Sequence, residues 1–222
     1  MEDQLEAAMT ALRVRHSVPD ILLPTSTCLF ILESPHVQEL KYGAPVAGSS
    51  GLTMSRHLFG DRDGQFPIGL LVKQNADEQK NQPRLNRIGL LNVSNVPLQR
   101  AAYHDPAVVS AHADWLHAME HVRANNQTDT YRDMTQMAVQ DALTTSLRVK
   151  LEALRQRTCT LIPCGRFAQK FFRLAAVQSS NWTVIRDVPH PSYNSWDRAQ
   201  YAGVIGRVQH ALDVASGDVP DA

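Results

Sequence analysis

The chain lacks the features that mark several classes of protein. It has only three cysteines, and neither Cys28 nor the pair Cys159 and Cys164 shows the spacing of zinc ligands, so we expect no disulfide framework and no metal site. No apolar run approaches the roughly 18 residues that span a membrane. The first residues, MEDQLEAAMT, are acidic and amphipathic, unlike a signal peptide. These absences predict a cytoplasmic protein in a reducing compartment, without membrane contact.

A net charge is missing as well, because 22 Lys and Arg residues balance 22 Asp and Glu residues. The composition therefore gives no indication of a nucleic-acid partner, and any site for a polyanion has to be a local patch. Hydrophobic residues make up 43% of the chain, which is enough for a packed core and too much for a disordered protein. We expect one domain over residues 1–214 and a flexible tail over 215–222.

Short apolar runs alternate with helical patterns along this domain. The runs at 27–32, 88–93, 158–163 and 182–188 predict buried strands. Helical patterns cover 3–15, 52–59, 107–122, 131–157, 166–177 and 196–214, and Asp105-Pro106 is a typical helix start. This alternation indicates an α/β fold, a single three-layer α/β/α domain with a short, mostly parallel four-stranded central sheet. Residues 73–87 (KQNADEQKNQPRLNR) are mostly polar and predict a loop insertion.

Chemically useful residues follow each predicted strand. The first strand leads into Glu33-Ser34-Pro35-His36 and the second ends at Asn92, whereas the third leads into Gly165 and the fourth into His190-Pro191-Ser192. Ligands of parallel sheets bind beyond the carboxyl ends of the strands. We therefore expect a carboxylate, an amide, a glycine turn and a histidine to meet at one edge of the sheet.

Together these segments resemble the uracil-DNA glycosylase superfamily. Residues 33–35 look like its Gly-Glu-Ala-Pro-Gly motif, with Leu32 in place of the first glycine. Residues 90–92 are similar to the strand that carries the base-reading asparagine, residues 165–170 to the Gly-Ser-x-Ala-Gln-Lys segment, and residues 190–192 to the His-Pro-Ser-Pro-Leu loop. The Gly-x-Pro-Phe-x-Gly-x-x-Gly loop is matched by Gly43, Pro45, Gly48 and Gly51.

The matches run in family order from about residue 28 to residue 200 and mix features of the thermophile-type and classical branches. The iron–sulfur branch needs four cysteines, which this chain does not have, so no cofactor is expected.

The resemblance implies a catalytic pair, Glu33 and His190. Breaking an N-glycosidic bond develops positive charge on the sugar and negative charge on the departing base. Glu33 would hold a water beneath the sugar and stabilise the cation, and His190 would donate to the leaving pyrimidine or set its dipole against it. The alternatives are an exposed carboxylate that caps the next turn and an ordinary loop histidine.

The resemblance also implies a pocket for a flipped pyrimidine, lined by Asn92, Val46, His36 and Ser34. The amide of Asn92 suits the Watson–Crick edge of uracil or, turned over, of cytosine, and its alternative role is to tie down the end of the strand. Val46 stands where most family members have a Phe that stacks on the base. The loss of an aromatic face costs about 1–3 kcal/mol of stacking, but it opens space.

Contacts with DNA phosphates are expected where backbone amides, hydroxyls and cations meet helix N-termini. The implied residues are Gly48, Ser49, Ser50, Gly165, Arg166, Ser192 and Arg198. Lys170 would join Arg166 and Arg198 in a basic patch. Tyr193, Asn194 and Trp196 would form a wedge in the DNA, unless the aromatic side chains pack back on the domain.

The expected function is that of a monofunctional DNA glycosylase, which acts as a monomer and hydrolyses the bond between a flipped pyrimidine and its sugar. The enlarged pocket favours a bulky modified base, such as a glycosylated hydroxymethylcytosine of phage DNA, and a role in defence. Repair of uracil or deaminated bases is the first alternative. The second is a DNA-binding module that has kept the fold without the chemistry.

Overall fold

A four-stranded parallel sheet forms the centre of the fold. The computed structural model describes residues 2–214, so the tail expected over 215–222 lies outside the described residues. The strands are β1 (Cys28–Leu32), β2 (Ile88–Asn92), β3 (Cys159–Pro163) and β4 (Trp182–Val184). They lie in the order β2-β1-β3-β4, and every neighbouring pair is parallel. The predicted α/β/α fold with four central strands is confirmed.

Ten α-helices surround the sheet within the described residues. They are α1 (Glu2–His16), α2 (Val37–Tyr42), α3 (Ser49–Asp63), α4 (Ile68–Asp77), α5 (Pro83–Asn86), α6 (Pro106–Ala111), α7 (Ala113–Ala124), α8 (Met134–Ala153), α9 (Gly165–Ala175) and α10 (Ala202–Val214). Among residues 2–214, no helix combines the length and the apolar character that crossing a bilayer requires.

The sheet separates two hydrophobic clusters, because the side chains of a strand alternate between its two faces. In β1, Leu29 and Ile31 join the cluster that α1, α7, α8 and α9 cover. Cys28, Phe30 and Leu32 join the cluster that α3, α4 and α10 cover on the other face. All five side chains are buried, as an unbroken apolar run predicts for a strand covered on both faces.

The strand order places a topological switch point between β1 and β3. From β1 the chain crosses to β2 on one side, whereas β3 and β4 continue on the other side. The loops that leave β1 and β3 therefore diverge and leave a crevice at their carboxyl ends, which is where open parallel sheets bind ligands. Glu33 follows β1 directly, and Gly165 begins the helix after β3.

The prediction of a loop insertion over residues 73–87 is wrong. α4 continues to Asp77, and α5 occupies Pro83–Asn86. Asn75 is buried between the two helices, where its Nδ2 donates to Asn86 Oδ1 at 2.7 Å and its Oδ1 accepts from the Gln82 N–H at 2.9 Å. The contacts that hold this segment together come from a buried polar side chain rather than from apolar ones. For this reason the composition of the segment looks like that of a loop.

Four predicted helices have different boundaries. The helix predicted over 52–59 lies within the longer α3, the helix predicted over 131–157 extends beyond both ends of α8, and the other two differ more. The pattern over 107–122 is divided at His112, whose φ of −121° and ψ of 24° interrupt the helix. The predicted start at Asp105-Pro106 is confirmed, because the Asp105 side chain accepts from the Ala107 N–H at 2.9 Å. The last helix begins at Ala202 rather than Trp196, because short 3₁₀ turns occupy residues 195–197 and 199–201.

Candidate active site

The loops after the four strands are tied to one another at the carboxyl edge of the sheet. The Ser94 N–H donates to the Glu33 carbonyl at 3.1 Å, which extends the pairing of β1 with β2. Gly165 has a φ of +85°, and a Cβ there would lie only 2.7 Å from the Cβ of His190. The Gly165 N–H also donates to the Val188 carbonyl at 2.9 Å. A glycine is therefore required at 165 for His190 to occupy its place.

Glu33 forms an ion pair with Arg123, a residue that no sequence motif singles out. The Nε of Arg123 donates to Glu33 Oε1, and the Glu33 side chain is 18% exposed. With its amide turned so that the oxygen faces the guanidinium, Gln99 accepts from Arg123 Nη2 at 3.1 Å. Arg123 lies in the last turn of α7, where basic side chains are common, so its position in the sequence does not reveal this partner.

His190 is half-buried beside this ion pair. Burial lowers the pKa of His190 below its ordinary value of 6.5, Glu33 acts in the opposite direction, and Arg123 lowers the pKa further. The Ser192 N–H donates to His190 Nδ1 at 3.2 Å, so Nδ1 is an acceptor. The neutral imidazole therefore carries its proton on Nε2, where it can donate to a substrate.

Asn92 and Ser34 present buried polar atoms without partners. Asn92, the last residue of β2, is 2% exposed, and its Nδ2 has no hydrogen-bond acceptor. Ser34, two residues after β1, has an Oγ that is equally buried and unpartnered. Leu32 pairs with Asn92 in the register of β1 and β2, so the two residues lie at neighbouring strand ends. Buried polar groups are rarely left unpaired in proteins, and such groups at a strand end indicate a binding site.

A network of charged and amide side chains holds the backbone of Asn92. Asp20 Oδ1 accepts from the Asn92 N–H at 3.0 Å, and Lys150 Nζ donates to the Asn92 carbonyl at 2.6 Å. Asp20 and Lys150 also pair with each other at 2.7 Å. Sequence reasoning missed both residues, since Asp20 lies before β1 and Lys150 lies in the long helix α8.

The glycine-rich loop packs its backbone against two helices. A Cβ on Gly51, in α3, would lie 1.7 Å from the Val46 carbonyl oxygen, and a Cβ on Gly69, in α4, would lie 1.9 Å from the Pro45 carbonyl oxygen. Gly43 ends α2 with a left-handed φ of 63°. Gly51 is therefore explained by a close backbone contact and Gly43 by its left-handed backbone, and sequence reasoning identified neither cause.

Val46 adopts an unusual backbone conformation within this loop. Its φ is +47°, a region that a β-branched residue rarely occupies and that stores strain. Its side chain is 4% exposed and belongs to the hydrophobic cluster of α3 and α4. Space for a large base at this position would therefore require the loop to move.

The implied phosphate contacts lie on two helix starts and one loop. Gly48 is the N-cap of α3, and Ser49 and Ser50 occupy its first turn, which contains no acidic residue. The exposed Arg166 lies in the first turn of α9. Arg198 is exposed too, and it donates to the Tyr193 carbonyl at 3.3 Å. Ser192 Oγ lies 2.8 Å from His190 Nδ1, so this hydroxyl is already engaged.

Of the three residues predicted to form a wedge in DNA, Tyr193 and Asn194 are exposed, whereas Trp196 is buried. Tyr193 is 90% exposed, and both Tyr193 and Asn194 have left-handed φ angles, so this turn protrudes from the domain. Trp196 is 1% exposed, and its Nε1 donates to the Pro189 carbonyl at 2.9 Å. The indole therefore packs back on the core and supports the turn, which leaves Tyr193 as the exposed aromatic side chain.

Lys170 does not belong to an exposed basic patch. It is 2% exposed, and its Nζ donates to the Tyr131 hydroxyl at 3.1 Å. Burial lowers the pKa of Lys170 to about 8. Its position in α9 turns the side chain of Lys170 toward the core, so the predicted patch is reduced to Arg166 and Arg198.

His36 is exposed as the N-cap of α2, where its backbone N–H donates to Glu39 Oε2 at 2.8 Å.

Comparison with known proteins adds no further information: no protein-family model matches the chain, and no curated protein matches it.

Proposed function

We propose that the protein is a monofunctional DNA glycosylase, which flips a non-standard pyrimidine out of DNA and hydrolyses its N-glycosidic bond. The observation that carries this proposal is that Glu33, directly after β1 at the switch point of the sheet, lies close enough to the imidazole of His190 to influence its pKa. The unpartnered amide of Asn92 lies at the neighbouring strand end. This reaction needs a carboxylate to stabilise the developing cation, which Glu33 provides, and a neutral hydrogen-bond donor for the developing anion, which His190 provides. It also needs a group that recognises the edge of the base, and the amide of Asn92 suits that role.

The reaction divides between the two faces of the sugar. The C1′–N1 bond breaks, and its electron pair leaves with the base, whose oxygen accepts a hydrogen bond from His190 Nε2. The carboxylate of Glu33 stabilises the cationic sugar and orients a water, whose oxygen adds to C1′. The water loses one proton, the base gains one, and the strand keeps an intact abasic site.

Hydrolysis by water rather than attack by an amine is supported by the bonding of two lysines, Lys150 beside Asn92 and the buried Lys170. A lyase needs a free amine that can form a Schiff base. The Nζ of Lys150 donates to the Asn92 carbonyl, to Asn95 Oδ1 and to Asp20 Oδ2, so all three of its protons are used. Lys170 is buried against Tyr131. Borohydride should therefore trap no covalent adduct between the protein and DNA.

The proposed substrate is a bulky modified pyrimidine, such as a glycosylated hydroxymethylcytosine of phage DNA, and the proposed role is defence. The support is Val46, whose small side chain takes the place of a stacking ring, and whose strained backbone is suited to a loop that shifts when a ligand binds. Repair of uracil remains the second candidate, because the amide of Asn92 suits either pyrimidine.

We also propose that the protein works in the cytoplasm as a monomer. The three cysteines are buried and free, which suits a reducing compartment.

Mass spectrometry of released bases tests the proposed function. The protein is incubated with an oligonucleotide that contains uracil and with phage DNA that contains glycosylated hydroxymethylcytosine, and the small molecules are then identified. We expect release of the glycosylated base and little release of uracil. Release of uracil alone would favour the repair role. DNA binding without release of any base would favour the inactive module.

A further inference from the structure

The backbone of Asn92 is held by side chains from outside the sheet. β2 is an edge strand, and an isolated antiparallel bridge between Ile21 and Leu90 covers its free side. Residues 18–21 therefore run beside β2, and this brings Asp20 next to Asn92. The Asn92 N–H donates to Asp20 Oδ1 at 3.0 Å, so a carboxylate replaces the missing neighbouring strand.

Lys150 completes this arrangement from α8. Its Nζ donates to the Asn92 carbonyl at 2.6 Å, to Asn95 Oδ1 at 2.7 Å and to Asp20 Oδ2 at 2.7 Å. Asn95 Nδ2 in turn donates to Asp20 Oδ1 at 2.9 Å. The side chains of Lys150 and Asp20 are 16% and 21% exposed, so solvent screens the pair only weakly.

Stability alone does not explain such a pair. Taking two charges out of water costs free energy, and well-packed apolar residues are often as stable in the same place. Here both charges meet the main chain of one residue, and the side-chain amide of that residue is buried without a partner. The arrangement fixes the peptide groups on both sides of the Asn92 Cα and so fixes the direction of its side chain.

We infer that Asp20 and Lys150 are positioning residues, which hold the backbone of Asn92 so that its unpartnered amide meets the edge of the flipped base. This inference rests on the proposed function, and it adds residues to which the family resemblance assigns no role. The pair acts through Asn92 and touches neither the sugar nor the phosphates, so its effect should be confined to recognition of the base.

The test compares DNA with and without a base at the target position. In Lys150→Met, the half-saturating concentration of DNA that carries the released base should rise about tenfold, as expected for one badly aligned hydrogen bond. Affinity for the same strand with a tetrahydrofuran abasic analogue should stay within about twofold, because no base is read there. A loss of affinity by the same factor for both strands would contradict the inference.

A second variant separates positioning from folding. Lys150→Met leaves Asp20 as an unpaired, partly buried charge and should lower the melting temperature. Asp20→Asn combined with Lys150→Met removes both charges, so stability should return while the base-dependent defect remains. If the defect disappears together with the instability, the pair has a structural role only.

Nuclear magnetic resonance separates failure of this inference from failure of the proposed function. The side-chain amide resonance of Asn92, assigned through Asn92→Asp, should shift in Lys150→Met even without DNA. An unchanged resonance would overturn the inference even if wild-type protein released a base in the assay above. A shifted resonance in a protein that releases no base would leave Lys150 as a positioning residue and reject only the glycosylase activity.

Discussion

The imidazole of His190 is subject to opposing influences. Burial and Arg123 favour the neutral ring, whereas Glu33 favours the cation, and the pKa of His190 is lowered as a result. The Ser192 N–H, 3.2 Å from Nδ1, adds a preference for a neutral ring with its proton on Nε2. A residue with this protonation can donate a hydrogen bond at neutral pH without carrying charge.

The first prediction concerns the pH dependence of the reaction. Because burial lowers the pKa of His190, the single-turnover rate should decline only at a pH below the range in which an ordinary histidine takes up a proton. Below the pKa, Nδ1 takes up a proton and can no longer accept from Ser192. Nitrogen resonances of His190 should show an unprotonated Nδ1 at pH 7. A ring that titrates above 6.5 would contradict this assignment.

The second prediction concerns Arg123. Its charge lowers the pKa of His190, so Arg123→Gln should raise that pKa and move the acid limb of the rate profile to higher pH. The matched control is Arg155→Gln, which removes a guanidinium paired with Glu152 before β3, at the opposite edge of the sheet. If the two variants give the same profile, Arg123 has no influence on the site.

At the scale of the elements, the glycine-rich loop depends on close contacts with α3 and α4. Gly51 and Gly69 leave room for the carbonyl oxygens of Val46 and Pro45, at distances that no Cβ would permit. Val46 keeps its positive φ in this loop because α3 and α4 each present a glycine, with no side chain, where they contact the loop backbone. α4 thus supports the loop that carries Val46.

The third prediction uses two glycines in helices. Gly69→Ala should lower the melting temperature and reduce base release, because its Cβ would lie 1.9 Å from the Pro45 carbonyl oxygen. Gly203→Ala, in α10, meets no atom within 4 Å and should stabilise the protein by roughly 0.5–1 kcal/mol through helix propensity. The prediction is tested by measuring the melting temperature and the rate of base release of both variants. Equal changes in melting temperature and base release for the two variants would show that the loop backbone moves away from Gly69→Ala at no cost in stability or activity.

Three strands could be predicted from the sequence because each is a short apolar run that ends in polar or turn residues. The prediction of a buried strand over 182–188 is correct only in part, since β4 ends at Val184 and its side chains are half-buried or exposed. Cys28–Leu32 and Ile88–Asn92 agree with the predicted strands to within one residue at each end. The turn between α4 and α5 could not be predicted, since it is held by hydrogen bonds of Asn75 rather than by apolar side chains.

The site was predictable only where a residue ends or follows an apolar run. Asn92 ends β2 and Glu33 follows β1 directly, and parallel topology brings both to one edge. His190 follows the predicted run at 182–188, although β4 itself ends at Val184. Arg123 and Lys150 come from helices about 90 and 58 residues away from their partners, and no spacing rule connects such positions. The burial of Trp196 and Lys170 depends on the packing of a turn and a helix, which composition does not reveal.

At the scale of the whole molecule, a formal charge of zero leaves DNA binding to a local patch. Arg166 is exposed in the first turn of α9, and Arg198 is exposed near the protruding Tyr193. Arg166 follows β3 at the carboxyl edge of the sheet, the edge at which Glu33 follows β1.

The fourth prediction concerns the salt dependence of DNA binding. Arg166→Ala should weaken binding regardless of sequence and reduce the slope of log affinity against log salt by about one unit, because one phosphate contact is lost. Arg155→Ala, at the opposite edge of the sheet, removes the same charge and should leave the slope unchanged. An unaltered slope in Arg166→Ala would show that the patch lies elsewhere.

The most direct test of the proposed activity is the formation of abasic sites by wild-type protein and by Glu33→Gln. The amide keeps the shape of the carboxylate but removes the charge that stabilises the cationic sugar, so the rate of strand cleavage after alkali should fall at least about a hundredfold. Glu152→Gln, on the exposed end of α8, serves as the control and should cleave like wild type. DNA affinity should be retained in all three proteins. Equal cleavage by wild type and Glu33→Gln, or none by wild type on any modified DNA, would contradict the proposed glycosylase activity.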